Sequence, residues 1–171
     1  MVIDIIMLSV LRAGPVHGYE LKRQVQRTNL TTLSNNSLYP VLRRFEERGI
    51  VTRSDESQNG KPDRKVYTIT DAGRAHLTEL ISTLPAKLAA NDEEFLVRVS
   101  FFHELLPPQR LAILEVRATV LDAALVTVRT LIAESAPSPS REWRVLTMHR
   151  LVDDLERELH WITELATKAR S

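Results

Sequence analysis

Apolar residues recur at helical spacing along most of this chain, interrupted once, between residues 50 and 70, by two short stretches rich in β-branched and aromatic side chains. Residues 2–12 carry Ile3, Ile6 and Val10 along one helical side, with Ile5 and Leu8 close by, so this helix must be covered on more than one side. Gly14-Pro15 breaks it. A second helix is expected over residues 18–27, with Leu21 and Val25 inward and Lys22, Arg23 and Gln26 outward. A Thr- and Asn-rich connection leads to residues 34–49, where Leu38, Leu42 and Phe45 mark one buried face. Ser34, Asn35 and Asn36 offer side-chain oxygens to cap a first turn, Pro40 fits only near that beginning, and Gly49 supplies the stop.

After Gly49 the period shortens. Residues 50–54 and 65–70 read as strands, with Tyr67 and Ile69 on one face. The polar loop between them turns at Asn59-Gly60, which makes the pair a two-stranded β-hairpin. Thr70 or Asp71 caps the next helix, whose inward positions include Leu77, Leu80 and Ile81. Three helices followed by a hairpin is the layout of a winged helix-turn-helix, in which the third helix enters a DNA major groove and the hairpin reaches phosphates or the minor groove.

The remainder is expected to be helical throughout. Asn91-Asp92-Glu93-Glu94 opens a capped helix, and Phe95, Val99, Phe102 and Leu106 continue it until Pro107-Pro108. Beyond, Leu111, Leu114, Ala118, Leu121, Leu125, Val128 and Ile132 alternate steps of three and four, as packing against another long helix requires. A turn at residues 136–140 precedes a last helix over 141–168, with Met148, Val152, Leu155, Leu159, Ile162 and Ala166 in its seam. The expected fold is mainly α. A winged helix-turn-helix domain fills residues 1–84, and an all-helical dimerisation and effector region fills 85–171.

Composition narrows the function. Of 171 residues 43% are hydrophobic and 26% charged, ordinary for a globular chain, and the net charge is only +1. Split after Leu84, the first part holds 12 Lys/Arg against 9 Asp/Glu and the rest 11 against 13, a weak basic bias on the expected nucleic-acid side. Cysteine is absent, so disulfides and thiolate metal sites are excluded. The apolar opening lacks a basic start and a cleavage site, and no apolar run approaches the roughly 20 residues that span a bilayer. A soluble, cytoplasmic protein is expected. The five histidines lack metal-ligand spacing, and there is no nucleophile elbow or phosphate-cradling glycine loop, so neither an enzyme nor a cofactor or metal is expected.

The local motifs are more specific. Gly18-Tyr19-Glu20-Leu21, then Ser37-Leu38-Tyr39-Pro40-Val41-Leu42 with Glu46 and Gly49-Ile50, then Arg64-Lys65-Val66-Tyr67-Thr68-Ile69-Thr70 with Gly73, together resemble the PadR family of bacterial transcriptional regulators. Asn36-Ser37 stands where that family often has Gly-Thr, a departure that bears on base preference rather than docking mode. The resemblance implies a longer subtype whose helical C-terminal region builds a homodimer, and some relatives in that family bind aromatic compounds or drugs near the dimer interface.

On these grounds the partner is double-stranded DNA, bound by a homodimer reading two half-sites, most naturally as a repressor of pseudo-palindromic operators, with a small-molecule effector as a further partner and no membrane. Asn36, Ser37 and Tyr39 are the base-reading candidates; Asn36 doubles as a cap, and the Tyr39 ring has the alternative of packing under the wing. Arg43 or Arg44 neutralises a phosphate, with a salt bridge to Glu46 or Glu47 as the competing use. Tyr19 and Lys22 on the second helix, and Lys61, Arg64 and Lys65 on the wing, are phosphate candidates, although Asp55, Glu56 and Asp63 dilute the wing's charge. Met148, Val152, Leu155, Leu159 and Ile162 are the expected dimer interface. Trp143 and Trp161 pack in the core or dimer, or else line a flat effector surface with Arg144 or His149 nearby; no ligand residue is assigned. The competing reading is a helical protein-interaction module whose winged fold no longer binds DNA.

Overall fold

The computed structural model describes residues 1–27, 38–58, 61–135 and 141–170, with the backbone alone at 57–58 and 61–63. The elements run α1 (Val2–Arg12), β1 (Val16–His17), α2 (Gly18–Arg27), α3 (Leu38–Glu47), β2 (Val51–Gln58), β3 (Lys61–Ile69) and α4 (Asp71–Ser82). They continue with α5 (Asp92–Val99), α6 (Pro107–Ala133) and α7 (Glu142–Ala169), with short 3-10 turns at Ala86–Leu88 and Phe102–Glu104. Two compact units result: residues 1–82 with 96–98, and residues 83–95 with 99–171.

In the first unit α1 buries Val2, Ile5, Ile6, Met7, Leu8 and Leu11, more than one helical stripe. Helices α2 and α4 and strand β3 cover it. The winged helix-turn-helix is present, but its sheet has three antiparallel strands in the order β1-β3-β2 rather than the two expected. The added strand pairs Val16 with Tyr67 and His17 with Val66. Two residues carry no period of their own, so only pairing to β3 defines them as a strand. The hairpin is also longer than its apolar residues suggest. Cross-strand pairs Asp55–Lys65 and Glu56–Arg64 extend the ladder into polar sequence, where opposite charges face each other.

The turn after α3 joins this sheet to α4. Gly49 takes φ +66° and ends the helix. The Thr70 hydroxyl donates to the Gly49 carbonyl at 2.7 Å, and its oxygen accepts from the Gly73 N–H at 3.1 Å, so Thr70 caps α4. A Cβ at Gly73 would lie 2.2 Å from the Ile50 carbonyl oxygen. The Tyr67-x-Ile69-Thr70-x-x-Gly73 pattern thus has a mechanical cause: a strand end, a cap and a close approach at one corner.

In the second unit Asn91 caps α5 through the Glu94 N–H at 2.9 Å. Helix α5 stops at Val99 instead of running on to Leu106. A continuing helix would give the Phe102 carbonyl to the Leu106 N–H. Here Arg110 Nε–H donates to that carbonyl at 2.7 Å, and the Leu106 N–H donates to Gln109 Oε1 at 2.9 Å. Leu106 is extended, as a residue before proline prefers. Helix α7 then packs back along α6. The seam of α6 buries Ile113, Leu114, Leu121, Leu125 and Val128 together with one charged residue, Arg117, where the pattern points to Ala118.

Candidate nucleic-acid interface

Helix α3 divides sharply by face. Leu38, Val41, Leu42 and Phe45 are buried, while Tyr39 and Arg43 are exposed at i and i+4. Tyr39 is 55% exposed, so its ring is not packed away beneath the wing. Arg43 keeps 83% of its side chain exposed even though its Nε–H donates to Glu47 at 3.0 Å. A surface pair of that kind contributes little, about 0.2–1 kcal/mol, and is readily exchanged for a phosphate. Arg44 is differently engaged: its Nη2 lies 2.6 Å from Asp4 Oδ1, tying α3 to α1.

The wing brings further cations to the same face. Tyr19, in the first turn of α2, is 59% exposed; His17 stacks on one side at 5.9 Å between ring centroids, and the Arg64 guanidinium lies 6.0 Å from the ring centre. A cleft of about 210 Å³ lies among His17, Tyr19, Tyr39, Arg64, Lys65 and Tyr67. A second hollow, between Tyr39, Arg43 and Lys65, carries the surface across to Arg53 and Glu46. Tyr39, Lys65 and Tyr67 belong to both, so α2, α3 and the wing share one continuous concave surface.

Acidic groups temper its charge. His17 Nε2 lies 3.6 Å from Glu56, and Arg53 bridges Glu46 at 3.7 Å and Asp55 at 3.8 Å. Burial, then the nearby Glu46 carboxylate, raises the Tyr67 phenol above its ordinary pKa, so this ring stays neutral at the base of the cleft. Glu20 is held below the usual carboxylate range by hydrogen bonds from Gln24 and Arg23, which fix it along α2.

Of the residues expected from the sequence, Tyr19, Tyr39, Arg43, Arg64 and Lys65 lie around this surface, while Lys22 is half-buried on α2. Asn36 and Ser37 lie outside the described residues, and Lys61 is described by its backbone alone. His17, Arg53 and Tyr67 were not singled out. For Tyr67 the signal was available in its own motif; for His17 and Arg53 only the β1–β3 and β2–β3 registers place them.

Leu155 and Ile162 are buried within the single chain at 8% and 5% exposure, and Met148, Val152 and Leu159 are half-buried. Trp161 meets Phe95 edge to face at 6.0 Å, whereas Trp143 is 77% exposed, with Leu146 and Leu151 also outside. Among the described residues no cluster of His, Cys, Asp or Glu could hold a metal ion, and no helix is long and apolar enough to cross a membrane.

Residues 7–79 match the sequence model of the transcriptional regulator PadR-like family. Over 67 residues the chain is 39% identical to the "Probable transcriptional regulator Rv1176c" of Mycobacterium tuberculosis, covering 38% of this chain and 35% of that protein. Over 98 residues it is 28% identical to the "Negative transcriptional regulator PadR" of Bacillus subtilis, covering 56% and 53%. The chain therefore spans about a third to a half of the length of these two relatives. Among solved structures it is similar to Bacillus subtilis PadR in complex with operator DNA, at 21% identity and a TM-score of 0.46 over 99% of both chains.

Proposed function

The chain belongs, through residues 7–79, to the transcriptional regulator PadR-like family, and from that premise we propose that it acts in the cytoplasm as a homodimeric repressor on pseudo-palindromic operator DNA. Helix α3 enters the major groove and the β2–β3 wing follows the flanking phosphates. Asn36, Ser37 and Tyr39 read base edges. Lys22, Arg43, Lys61, Arg64 and Lys65 neutralise phosphates, with Tyr19 beside them, while Arg44 stays paired with Asp4.

One observation carries this reading. Tyr19, Tyr39, Arg43, Arg64 and Lys65 are all exposed on a single concave surface, while the opposite side of α3 is spent on the core. Two copies joined through α7 present two such surfaces and gain both affinity and spacing selectivity. A small effector releases the DNA by binding better to a dimer whose α3 helices no longer match the half-sites.

Salt dependence tests the reading. A dimer neutralising about 8 phosphates loses affinity for duplex DNA with a log–log slope near −7. Fluorescence anisotropy on a duplex carrying an inverted repeat from upstream of the protein's own gene measures it. An affinity that stays flat between low and moderate salt supports instead a helical interaction module built on a winged fold.

A further inference from the structure

Arg64 on β3 and Glu56 on β2 are cross-strand partners. Opposite charges so placed attract each other. Yet among the described residues no ion pair joins them. The Arg64 guanidinium lies 6.0 Å from the centre of the Tyr19 ring, and the Glu56 carboxylate lies 3.6 Å from His17 Nε2. Each charge has turned to a different side chain.

His17 touches both arrangements. Its ring stacks on that of Tyr19, with centroids 5.9 Å apart and planes within 16°, which restrains the ring that Arg64 meets. Its Nδ1 is buried and has no hydrogen-bond partner among the described residues. A proton there would be a buried donor without an acceptor, so the neutral ring carries its proton on Nε2, the nitrogen facing Glu56. At 3.6 Å the contact is longer than a hydrogen bond and acts as an electrostatic attraction. Arg64 and His17 line one cleft with Tyr19, Tyr39 and Lys65. A guanidinium held by Glu56 would bring that cleft no net charge, whereas one resting on Tyr19 keeps its N–H groups for a phosphate.

We propose that His17 is a positioning residue of the DNA-binding surface. By drawing the Glu56 carboxylate to Nε2–H and bracing Tyr19, it keeps Arg64 clear of its cross-strand partner and turned toward a backbone phosphate. The phosphate rests on the regulator reading above; the placement of Arg64 does not.

A double-mutant cycle between His17 and Glu56 in the full chain tests this. His17→Phe keeps a ring beneath Tyr19 but has no N–H for Glu56. Its affinity for duplex DNA is expected to fall by about threefold to fivefold in an otherwise wild-type chain, and not to fall when Glu56→Gln is also present. Glu56→Gln alone strengthens binding somewhat by removing a negative charge, so the interaction between the two changes, rather than either alone, is the readout. In the free protein, nuclear magnetic resonance follows the Arg64 side-chain shifts, which the Tyr19 ring current displaces. These should move toward their Tyr19→Ala positions in His17→Phe and return in the double variant. Thermal melts confirm that each variant folds. If the larger ring is not accommodated, His17→Ala replaces it, with a larger loss that Glu56→Gln restores in part. An affinity unchanged in His17→Phe, or a loss of the same size with and without Glu56→Gln, overturns the assignment. A chain that binds no duplex DNA overturns the regulator reading instead, and the Arg64 shifts then decide the role of His17: unmoved in His17→Phe, they overturn it as well.

Discussion

The guanidinium of Arg64 is centred 6.0 Å from the middle of the Tyr19 ring, so a cation–π contact joins a wing strand to the first turn of α2. Such a contact at an exposed site is worth about 0.5–1 kcal/mol, and it restrains an arginine that would otherwise sample many rotamers. In Tyr19→Ala that restraint is lost. Affinity is expected to fall by about threefold to fivefold on every duplex alike, because a phosphate contact carries no sequence information. Tyr19→Phe keeps the ring and should lose little. Anisotropy titrations on two unrelated duplexes check both; if Phe proves as poor as Ala, the hydroxyl rather than the ring matters.

Of the described glycines, Gly73 leaves an added Cβ the least room. An added Cβ would meet the Ile50 carbonyl oxygen at 2.2 Å and Ile69 Cγ1 at 2.7 Å. The oxygen is backbone, accepts the Thr70 N–H at 3.1 Å, and cannot turn aside as a flexible side chain would. Gly73→Ala is therefore expected near the upper end of overpacking costs, about 3 kcal/mol. A thermal melt followed by circular dichroism should show a midpoint lower by 10 °C or more, on the scale of about 4–8 °C per kcal/mol for a domain this small. An unchanged midpoint would mean that the corner opens freely.

The sequence and the structure part company in places that share a cause. Helices α1 to α4, the hairpin and the caps at Thr70 and Asn91 are legible because period and cap chemistry are local. Strand β1 is not, since two residues have no period and depend on Val66 and Tyr67 for partners. Beyond the end of α5, the Phe102 carbonyl accepts the Leu105 N–H of a 3-10 turn and the Arg110 Nε–H from eight residues away, contacts that no helical period announces. The seam pattern points to Ala118 and passes over Arg117, whose burial depends on Ala89, Asp92 and Glu158 being brought around it. At the candidate interface the exposed residues could be named from the sequence, but not His17 beneath them, because only the sheet register places it beside Tyr19.

Arg117 offers a test of that last kind of contact. Although charged, it is only 1% exposed, its Nη1 donates to the Ala89 carbonyl at 2.6 Å, and its Nε and Nη2 donate to Glu158 and Asp92 at 2.8 and 2.5 Å. The guanidinium also lies over Phe95 at 5.4 Å. Arg117→Met fills similar space but leaves the Ala89 oxygen without its donor, and is expected to destabilise the chain by about 1–3 kcal/mol. Lysine cannot serve three directions at once and should recover less than half of the loss. Urea unfolding at low and high salt checks this, and the deficit should persist at high salt, where surface pairs are screened.

Tyr67 sets an alkaline limit. Its phenol titrates above the ordinary value because burial, and then Glu46, disfavour the phenolate. A pKa raised on folding contributes stability that is complete below the unfolded value and is lost as pH rises through the folded one. The wild type should therefore lose stability above about pH 10 more steeply than Tyr67→Phe, which has no proton to release. Melting midpoints of both proteins between neutral and strongly alkaline pH measure the difference. Parallel curves would show that the ring is free to ionise in place.

Helix α7 bears on the proposed homodimer, and the two sides of this helix should behave differently. Nine residues make two and a half turns, so Trp143 lies on the opposite side of α7 from Val152. The side with Leu155 and Ile162 is already buried in the single chain, whereas Trp143 and Leu146, one turn apart and opposite that seam, remain 77% and 53% exposed. A second copy gains most by covering the exposed set, because aromatic and aliphatic anchors dominate the energetics of interfaces. Leu146→Glu is then expected to give folded monomers in analytical ultracentrifugation, with the circular dichroism melt little changed. Leu155→Asp instead buries a charge within the chain and should lower the melt by several degrees, whatever the state of assembly. If Leu146→Glu stays dimeric while Leu155→Asp yields well-folded monomers, the pairing surface is the seam itself, and α7 must leave α6 to form it.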